Sequence, residues 1–63
     1  MVLVKCISDN IFTLTKGWYY LIDLMSLHCD NNNEWDVEVY EYGDDNGYRF
    51  IGRIALNNFT LTD

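Results

Sequence analysis

The sequence predicts an all-β fold of five short strands in one domain, residues 1–63. Two observations support this prediction. In the segment Glu34–Tyr42, apolar and acidic side chains alternate, as expected of a strand with one buried and one solvated face. The segment Gly43–Gly47 then has the composition of a turn, and Tyr48–Ile54 that of a returning strand. The centre of the chain is therefore predicted to be a hairpin.

The first strand is predicted over Val2–Ser8, where Lys5 lies among β-branched and apolar residues. The loop that follows contains Ile11, Phe12 and Leu14. These side chains are too apolar to be fully solvated, so we expect the loop to fold back on the core.

The second strand is predicted over Trp18–Ser26, which contains no Gly, Pro or Asn. A helix is the alternative, because Leu21–Met25 would tolerate helical backbone, but the aromatic and β-branched residues favour a strand. A turn is predicted over Leu27–Asn33, since asparagine tolerates left-handed backbone. After the hairpin, Ala55–Phe59 indicates one short helical or 3₁₀ turn, and Thr60–Thr62 a last strand.

Alternation also predicts which side chains face the core. In the second strand these are Tyr20, Ile22 and Leu24, and in the third strand they are Trp35, Val37 and Val39. The residues expected to be largely buried are Val4, Cys6, Tyr20, Ile22, Val37, Val39, Phe50 and Phe59.

Five strands, with a long loop after the first and one helical turn before the last, follow the order of an SH3-like barrel. Closure into a barrel would also remove exposed sheet edges. The segments Val4–Ile7, Leu14–Gly17 with Tyr20, and Ala55–Phe59 give the chain a resemblance to the small SH3-like barrel proteins of phages and their bacterial hosts. Those proteins often begin with a VKC strand, continue with LT-x-G-x-x-Y-x-V, and end in a short helical turn with Phe.

The resemblance spans most of the chain and implies the SH3-like barrel and a cytoplasmic location, in the host cell if a phage encodes the protein. The chain departs from the pattern at Trp18, Tyr19 and Leu21, where such proteins more often carry Lys or Glu.

The formal net charge is −6, from ten acidic residues against four basic ones, Lys5, Lys16, Arg49 and Arg53. Binding of DNA or RNA depends on clustered cations that release counterions, so direct nucleic-acid binding is not expected. An acidic surface favours a partner protein with a basic surface.

The two cysteines, Cys6 and Cys29, do not make a disulfide framework. The opening residues do not have the pattern of a secretion signal, and no apolar segment approaches the roughly 20 residues of a membrane span. We therefore expect a soluble cytoplasmic protein with free thiols, no membrane association and no cofactor.

The segment His28–Asp30 is the one cluster that suggests chemistry. A Cys–His pair can form a nucleophile with its base, and zinc could bind if Cys6 joined from another strand. Adjacent residues on an extended chain point in opposite directions, so a plain turn without catalysis or metal is expected. The solvated carboxylates of a domain this small also lack an enclosed pocket, and no enzymatic activity is expected.

Two sets of residues are predicted to bind a partner. The acidic set consists of Glu34, Asp36, Glu38, Glu41, Asp44 and Asp45. The apolar set consists of Trp18, Tyr19 and Leu21. The alternatives are that the acids only confer solubility and that the apolar residues are incidentally exposed. A polyproline groove built from Tyr40, Tyr42 and Tyr48 with Asp44 and Asp45 is a third reading.

These observations predict a small binding protein of phage or prophage origin that occupies a surface of a host protein, as a host-takeover or anti-defence inhibitor. The alternative is a structural or assembly module that acts as a homo-oligomer.

Overall fold

The computed structural model describes residues 1–43 and 47–62. Five antiparallel strands form a single sheet with the order β4-β3-β2-β1-β5. The strands are β1 (Val2–Cys6), β2 (Tyr19–Cys29), β3 (Trp35–Tyr42), β4 (Tyr48–Ala55) and β5 (Phe59–Leu61). One 3₁₀ turn, η1 (Leu56–Asn58), precedes β5. The predicted all-β fold is confirmed. Across the described residues β4 and β5 are the sheet edges and do not pair, so the sheet is open.

The β1–β2 loop returns to the core as predicted, but only in part. Leu14 is buried and Ile11 packs against the core, whereas Phe12 is fully exposed, so the prediction for Phe12 is wrong. The loop is closed by backbone hydrogen bonds: the amide of Gly17 donates to the carbonyl of Cys6 at 2.8 Å. The amide of Cys6 donates in turn to the carbonyl of Trp18 at 2.9 Å.

Strand β2 is longer than predicted and contains a bulge. Asp23 pairs with Glu38 while His28 pairs with Asp36, so four residues of β2 lie opposite the single residue Val37 of β3. The extra residues break the alternation, and Leu24, which was predicted to face the core, is exposed instead.

The predicted turn over Leu27–Asn33 is correspondingly wrong at its start, since β2 continues through Cys29. The real turn is organised by the Asp30 carboxylate, which accepts hydrogen bonds from the amides of Asn32 at 2.8 Å and Glu34 at 3.0 Å. Asn33 has a φ of 61°, in the left-handed region that asparagine tolerates.

A second irregularity lies in the β3–β4 hairpin. Val39 pairs with Gly52 and the next residue, Tyr40, pairs with Phe50, so Ile51 is an extra residue in β4. The shift places Phe50 beside Tyr40 on the side of the sheet away from the core. Phe50 is 54% exposed, and its predicted burial is wrong for this reason.

The core lies on one face of the sheet. Its buried residues are Val4, Cys6, Leu14, Tyr20, Ile22, Val37, Val39 and Phe59. Every residue predicted to be buried except Phe50 is in this set, so strand alternation identified the core face correctly. Trp35, predicted to face the core, lies at the start of β3 and is half exposed. Within the described residues, no helix has the length and hydropathy needed to cross a membrane.

Candidate protein-binding face

The face of the sheet opposite the core, called here the outer face, is built from residues that are paired across successive strands. On β3, Val37 and Val39 point to the core, so alternation places Asp36, Glu38, Tyr40 and Tyr42 on the outer face. Because paired residues of an antiparallel sheet share a face, each of these residues continues sideways as a row of neighbours.

One of these rows is apolar across four strands. Leu3 pairs with Leu21, Leu21 with Tyr40, and Tyr40 with Phe50. Neighbouring strands lie about 4.8 Å apart, so these four side chains form a continuous strip, the apolar row. The Tyr40 and Phe50 rings are tilted by 58° with their centroids 5.4 Å apart. The ends of the strip face solvent: Leu3 is 47% exposed and Phe50 is 54% exposed.

Aromatic residues border the apolar row on one side. Tyr42 pairs with Tyr48, and their rings meet edge to face with centroids 5.9 Å apart. Tyr19 lies two positions before Leu21 on β2 and pairs with Lys5. The ammonium of Lys5 is 6.0 Å from the centroid of the Tyr19 ring, at the outer limit of a cation–π contact.

Charged residues border the apolar row on the other side. Asp23, Glu38 and Arg53 are paired neighbours, and Asp36 lies two positions before Glu38. The Arg53 guanidinium donates from Nε to Asp36 Oδ1 at 2.8 Å, and its Nη1 is 3.5 Å from Glu38 Oε2. Two carboxylates therefore contact one guanidinium. With Asp23 on the neighbouring strand, this border of the outer face is negative.

Tyr40 joins the apolar row to the charged border. Its hydroxyl donates a hydrogen bond to Glu38 Oε1 at 2.8 Å. This bond raises the pKa of the Tyr40 phenol above the ordinary tyrosine value, with further contributions from desolvation and from the negative charges of Glu38 and Asp23. At neutral pH the phenol is therefore a donor that holds the Glu38 carboxylate in place.

The bulge in β2 adds an apolar protrusion beside the charged border. Met25 is 96% exposed, and Leu24 and Leu27 are also exposed. Ser26 anchors the segment, because its Oγ donates to the carbonyl of Asp23 at 2.6 Å and accepts from the amide of Glu38 at 2.8 Å. The bulge is thus tied to β3 while its apolar side chains remain in solvent.

The predicted apolar set does not lie on a single face. Tyr19 and Leu21 are on the outer face as expected from their alternation with Tyr20. Trp18 is exposed, but its backbone pairs with the buried Cys6, so alternation places it on the core side of the sheet.

The predicted acidic set is also divided. Asp36 and Glu38 lie on the outer face, where Arg53 partly neutralises them. Glu41 is out of phase with them and pairs with Arg49, so it does not extend their surface. Glu34 is exposed just before β3. Two further members, Asp44 and Asp45, lie outside the described residues.

The sequence reasoning missed Leu3, Phe50 and the protrusion at Met25 as surface features. A signal for Leu3 was present, since Val2, Leu3 and Val4 are apolar in succession, which alternation alone does not require of a strand with one wet face. Phe50 and Met25 depend on irregularities whose positions the composition does not reveal.

The cluster around His28 does not converge on a site. His28 pairs with Asp36, Cys29 is half buried at the end of β2, and Cys6 is buried in the core. Across residues 1–43 and 47–62, no group of three or more His, Cys, Asp or Glu side chains is placed to hold a metal ion. Tyr40, Tyr42 and Tyr48 all lie on the outer face, and Tyr42 contacts Tyr48. The acids of the alternative polyproline groove, Asp44 and Asp45, lie outside the described residues.

Comparison of the chain with known protein families, curated proteins and solved structures found no match. The function must therefore be inferred from the residues themselves. The outer face offers apolar and aromatic contact area in its centre and carboxylates along one border.

Proposed function

We propose that this protein is a small binding module whose outer face covers an apolar strip on a partner protein. The observation that supports the proposal is the apolar row. An antiparallel sheet with one face on the core ordinarily carries polar side chains on the other face. Here four paired positions in four strands are apolar instead. Contiguous exposed apolar surface of this kind is typical of protein interfaces, which are also rich in tyrosine.

The charged border indicates which charge the partner surface should carry. Asp23, Asp36 and Glu38 lie along this border with a single arginine, so a partner with basic residues beside its apolar strip would meet complementary charge. Arg53 fixes the orientation of two of these carboxylates before binding, and the Tyr40 hydroxyl fixes Glu38 from the other side. The net charge of −6 would also accelerate encounter with a basic partner.

The finer proposals come from the resemblance to phage SH3-like barrel proteins. The strand order β4-β3-β2-β1-β5 is compatible with such a barrel and supports the proposed fold. A phage-encoded binding module would act in the cytoplasm of the host cell as a host-takeover or anti-defence inhibitor, by occupying a surface of a host protein. This role requires no catalysis, no cofactor, no membrane and no direct contact with nucleic acid.

A homo-oligomeric assembly module is the second candidate, and the free edge of β4 favours it. Tyr48–Ala55 pairs only with β3 in the described part of the chain. Phe50, the last member of the apolar row, lies on this edge strand. A second copy that added its own β4 would extend the sheet and the apolar row together.

Reversing the polarity of one end of the apolar row tests the main proposal. Phe50→Lys should weaken capture of the host partner by at least about tenfold, because an aromatic anchor residue of an interface contributes about 2 kcal/mol or more. Phe12→Lys is the matched control, since Phe12 is a fully exposed phenylalanine in the β1–β2 loop. Equal capture by both variants would contradict the role of the outer face.

Sedimentation separates the two candidates. The binding module is supported if the wild-type protein is a monomer at high concentration and if Phe50→Lys, but not Phe12→Lys, loses capture of the partner. A dimer that dissociates in Phe50→Lys but not in Phe12→Lys supports the assembly module.

Association kinetics test the acidic border. The double variant Asp36→Asn with Glu38→Gln should bind the partner about tenfold more slowly at low salt, and the difference should shrink at high salt. Asp9→Asn with Glu41→Gln removes two negative charges away from this border and serves as the control. Equal, salt-independent rates would leave the acids as solubilising groups.

A further inference from the structure

An open cavity of about 350 Å³ lies at the end of the sheet where β3 begins, beside η1. It does not belong to the apolar row, because Trp35, its largest side chain, is in phase with the core-facing Val37. The cavity is lined by Asn33, Glu34, Trp35, Ala55, Leu56 and Asn57.

The cavity combines an aromatic surface with a negative charge. Trp35 is 50% exposed, although it lies on the core side of its strand, so part of its indole is uncovered. The indole ring is the strongest cation–π partner among the aromatic side chains. Glu34, the residue before Trp35, also lines the cavity and is the one lining residue with a carboxylate, while Asn33 and Asn57 carry amide oxygens that can accept hydrogen bonds.

A guanidinium group matches this set of residues. It is planar and stacks on aromatic rings, and its N–H groups can donate two parallel bonds to a carboxylate. A cavity at the small end of the range for ligand pockets can take one long side chain.

The arginines of this chain are already paired elsewhere. Arg49 bonds to Glu41, and Arg53 bonds to Asp36 and to the carbonyl of Ser26. An arginine that enters the cavity would therefore come from another molecule, and the negative net charge of the chain favours its approach.

We infer that the cavity between Trp35 and Leu56 is a binding site for an arginine side chain of a partner protein. The site is independent of the outer face, so it stands or falls separately from the proposed function. The protein would then bind a partner through this cavity as well as through its outer face.

Peptides that differ in one group test this inference. A short Gly/Ser peptide with a central arginine is titrated into the protein, and the indole N–H signals of Trp35 and Trp18 are followed by NMR. The arginine peptide should shift the Trp35 signal saturably and leave the Trp18 signal unchanged. A peptide with citrulline, which is planar and neutral, should bind at least about tenfold more weakly, because it loses both the cation–π contact and the ion pair.

Substitutions of the residues that line the cavity test which of them contact the arginine. Glu34→Gln should weaken the arginine peptide several-fold without changing the citrulline peptide, and Asp9→Asn, the control for net charge, should change neither. Trp35→Ala should abolish the binding of the arginine peptide, and its amide spectrum reports whether the fold is kept. Phe50→Lys should bind the arginine peptide normally, since it alters only the outer face.

Several results would overturn the inference. They are an unshifted Trp35 signal at millimolar arginine peptide, equal binding of the citrulline peptide, and unchanged binding by Glu34→Gln. Free arginine that bound as tightly as the peptide would overturn the assignment of the ligand to a partner protein.

Discussion

The two faces of the sheet carry similar side chains in very different surroundings. Val4, Ile22 and Val39 are buried on the inner face, in one cluster with Leu14 of the β1–β2 loop and Phe59 of β5. Leu3, Leu21, Tyr40 and Phe50 form a comparable strip on the outer face, with no part of the described chain over it. Apolar composition alone therefore does not decide burial in this protein. What differs is the packing of the β1–β2 loop, through Ile11 and Leu14, and of Leu56 in η1 against the inner face.

The difference also separates two physical roles. Burial of the inner strip stabilises the fold by about 25 cal/mol for each Å² of apolar surface removed from water. The apolar row contributes less to stability because it stays exposed to solvent in the isolated protein. The free energy of its burial remains available for an interface.

Thiol labelling should show the largest contrast. Cys6 is fully buried on the inner face, and its thiol contacts the carbonyl of Ser8 at 3.2 Å, whereas Cys29 is half buried at the end of β2. Cys29 should react roughly a thousandfold faster or more in the native protein, since labelling of Cys6 requires unfolding. Mass spectrometry of the alkylated peptides measures both rates. Faster modification of Cys6 would contradict the inner face described here.

Two adjacent residues of β2 provide the next contrast. Ile22→Ala should lower the free energy of unfolding by about 2–5 kcal/mol, because it leaves a cavity in the core. Leu21→Ala, on the outer face, should cost less than half as much. Urea denaturation of the two variants measures the difference. Equal losses would mean that the outer strip is covered in solution, as it would be in an oligomer.

The anchor of the bulge should have a smaller effect. Ser26→Ala removes a donor to the carbonyl of Asp23 and an acceptor for the amide of Glu38. We expect a loss of about 1–3 kcal/mol in the free energy of unfolding, together with faster hydrogen exchange at the Glu38 amide. Ser8→Ala, in the β1–β2 loop, is a control. An unchanged exchange rate at Glu38 would show that the bulge is held by other contacts.

Tyr40 should give the smallest effect, and it should depend on pH. The pKa of its phenol is raised above 10.0, mainly by the hydrogen bond to Glu38. A group with a raised pKa in the folded state stabilises the fold below its unfolded pKa, and this contribution is lost as pH rises through the folded pKa. The stability difference between wild type and Tyr40→Phe should therefore be constant near neutral pH and shrink above about pH 10.

Absorbance titration of tyrosinate in the native protein checks the same point. A phenol that ionises above the ordinary tyrosine value should be present in the wild-type titration and absent from that of Tyr40→Phe. Loss of an early-ionising phenol instead would contradict the bond to Glu38.

The sequence predicted the parts of the fold that depend on regular alternation. Val37 and Val39 alternate with Asp36 and Glu38, and both valines are buried as expected. The same rule failed for Leu24, which is the first of the inserted residues of β2, and for Phe50, which the extra residue Ile51 puts out of phase with the rest of β4. A bulge is fixed by tertiary contacts such as the bonds of Ser26, and these were not visible in the local composition.

The candidate site was only partly predictable. Tyr19, Leu21, Asp36 and Glu38 were assigned to the surface correctly from alternation. Their arrangement into rows depends on the register between strands. The bond between Arg53 and Asp36 joins residues 17 positions apart, and the sequence contains no signal that pairs them.

The pairing of β1 with β5 has a consequence for the order of folding. The two strands lie at opposite ends of the described chain, and the hydroxyl of Thr62 reaches the carbonyl of Leu3 across 59 positions. The β2–β3–β4 segment has short connections and can form early, whereas the contact between Phe59 and Cys6 closes a long loop, so we expect it to form late. Any event that withholds residues 59–62 removes the strand that pairs with Cys6 and removes Phe59 from the core. The core is therefore complete only once β5 has paired with β1.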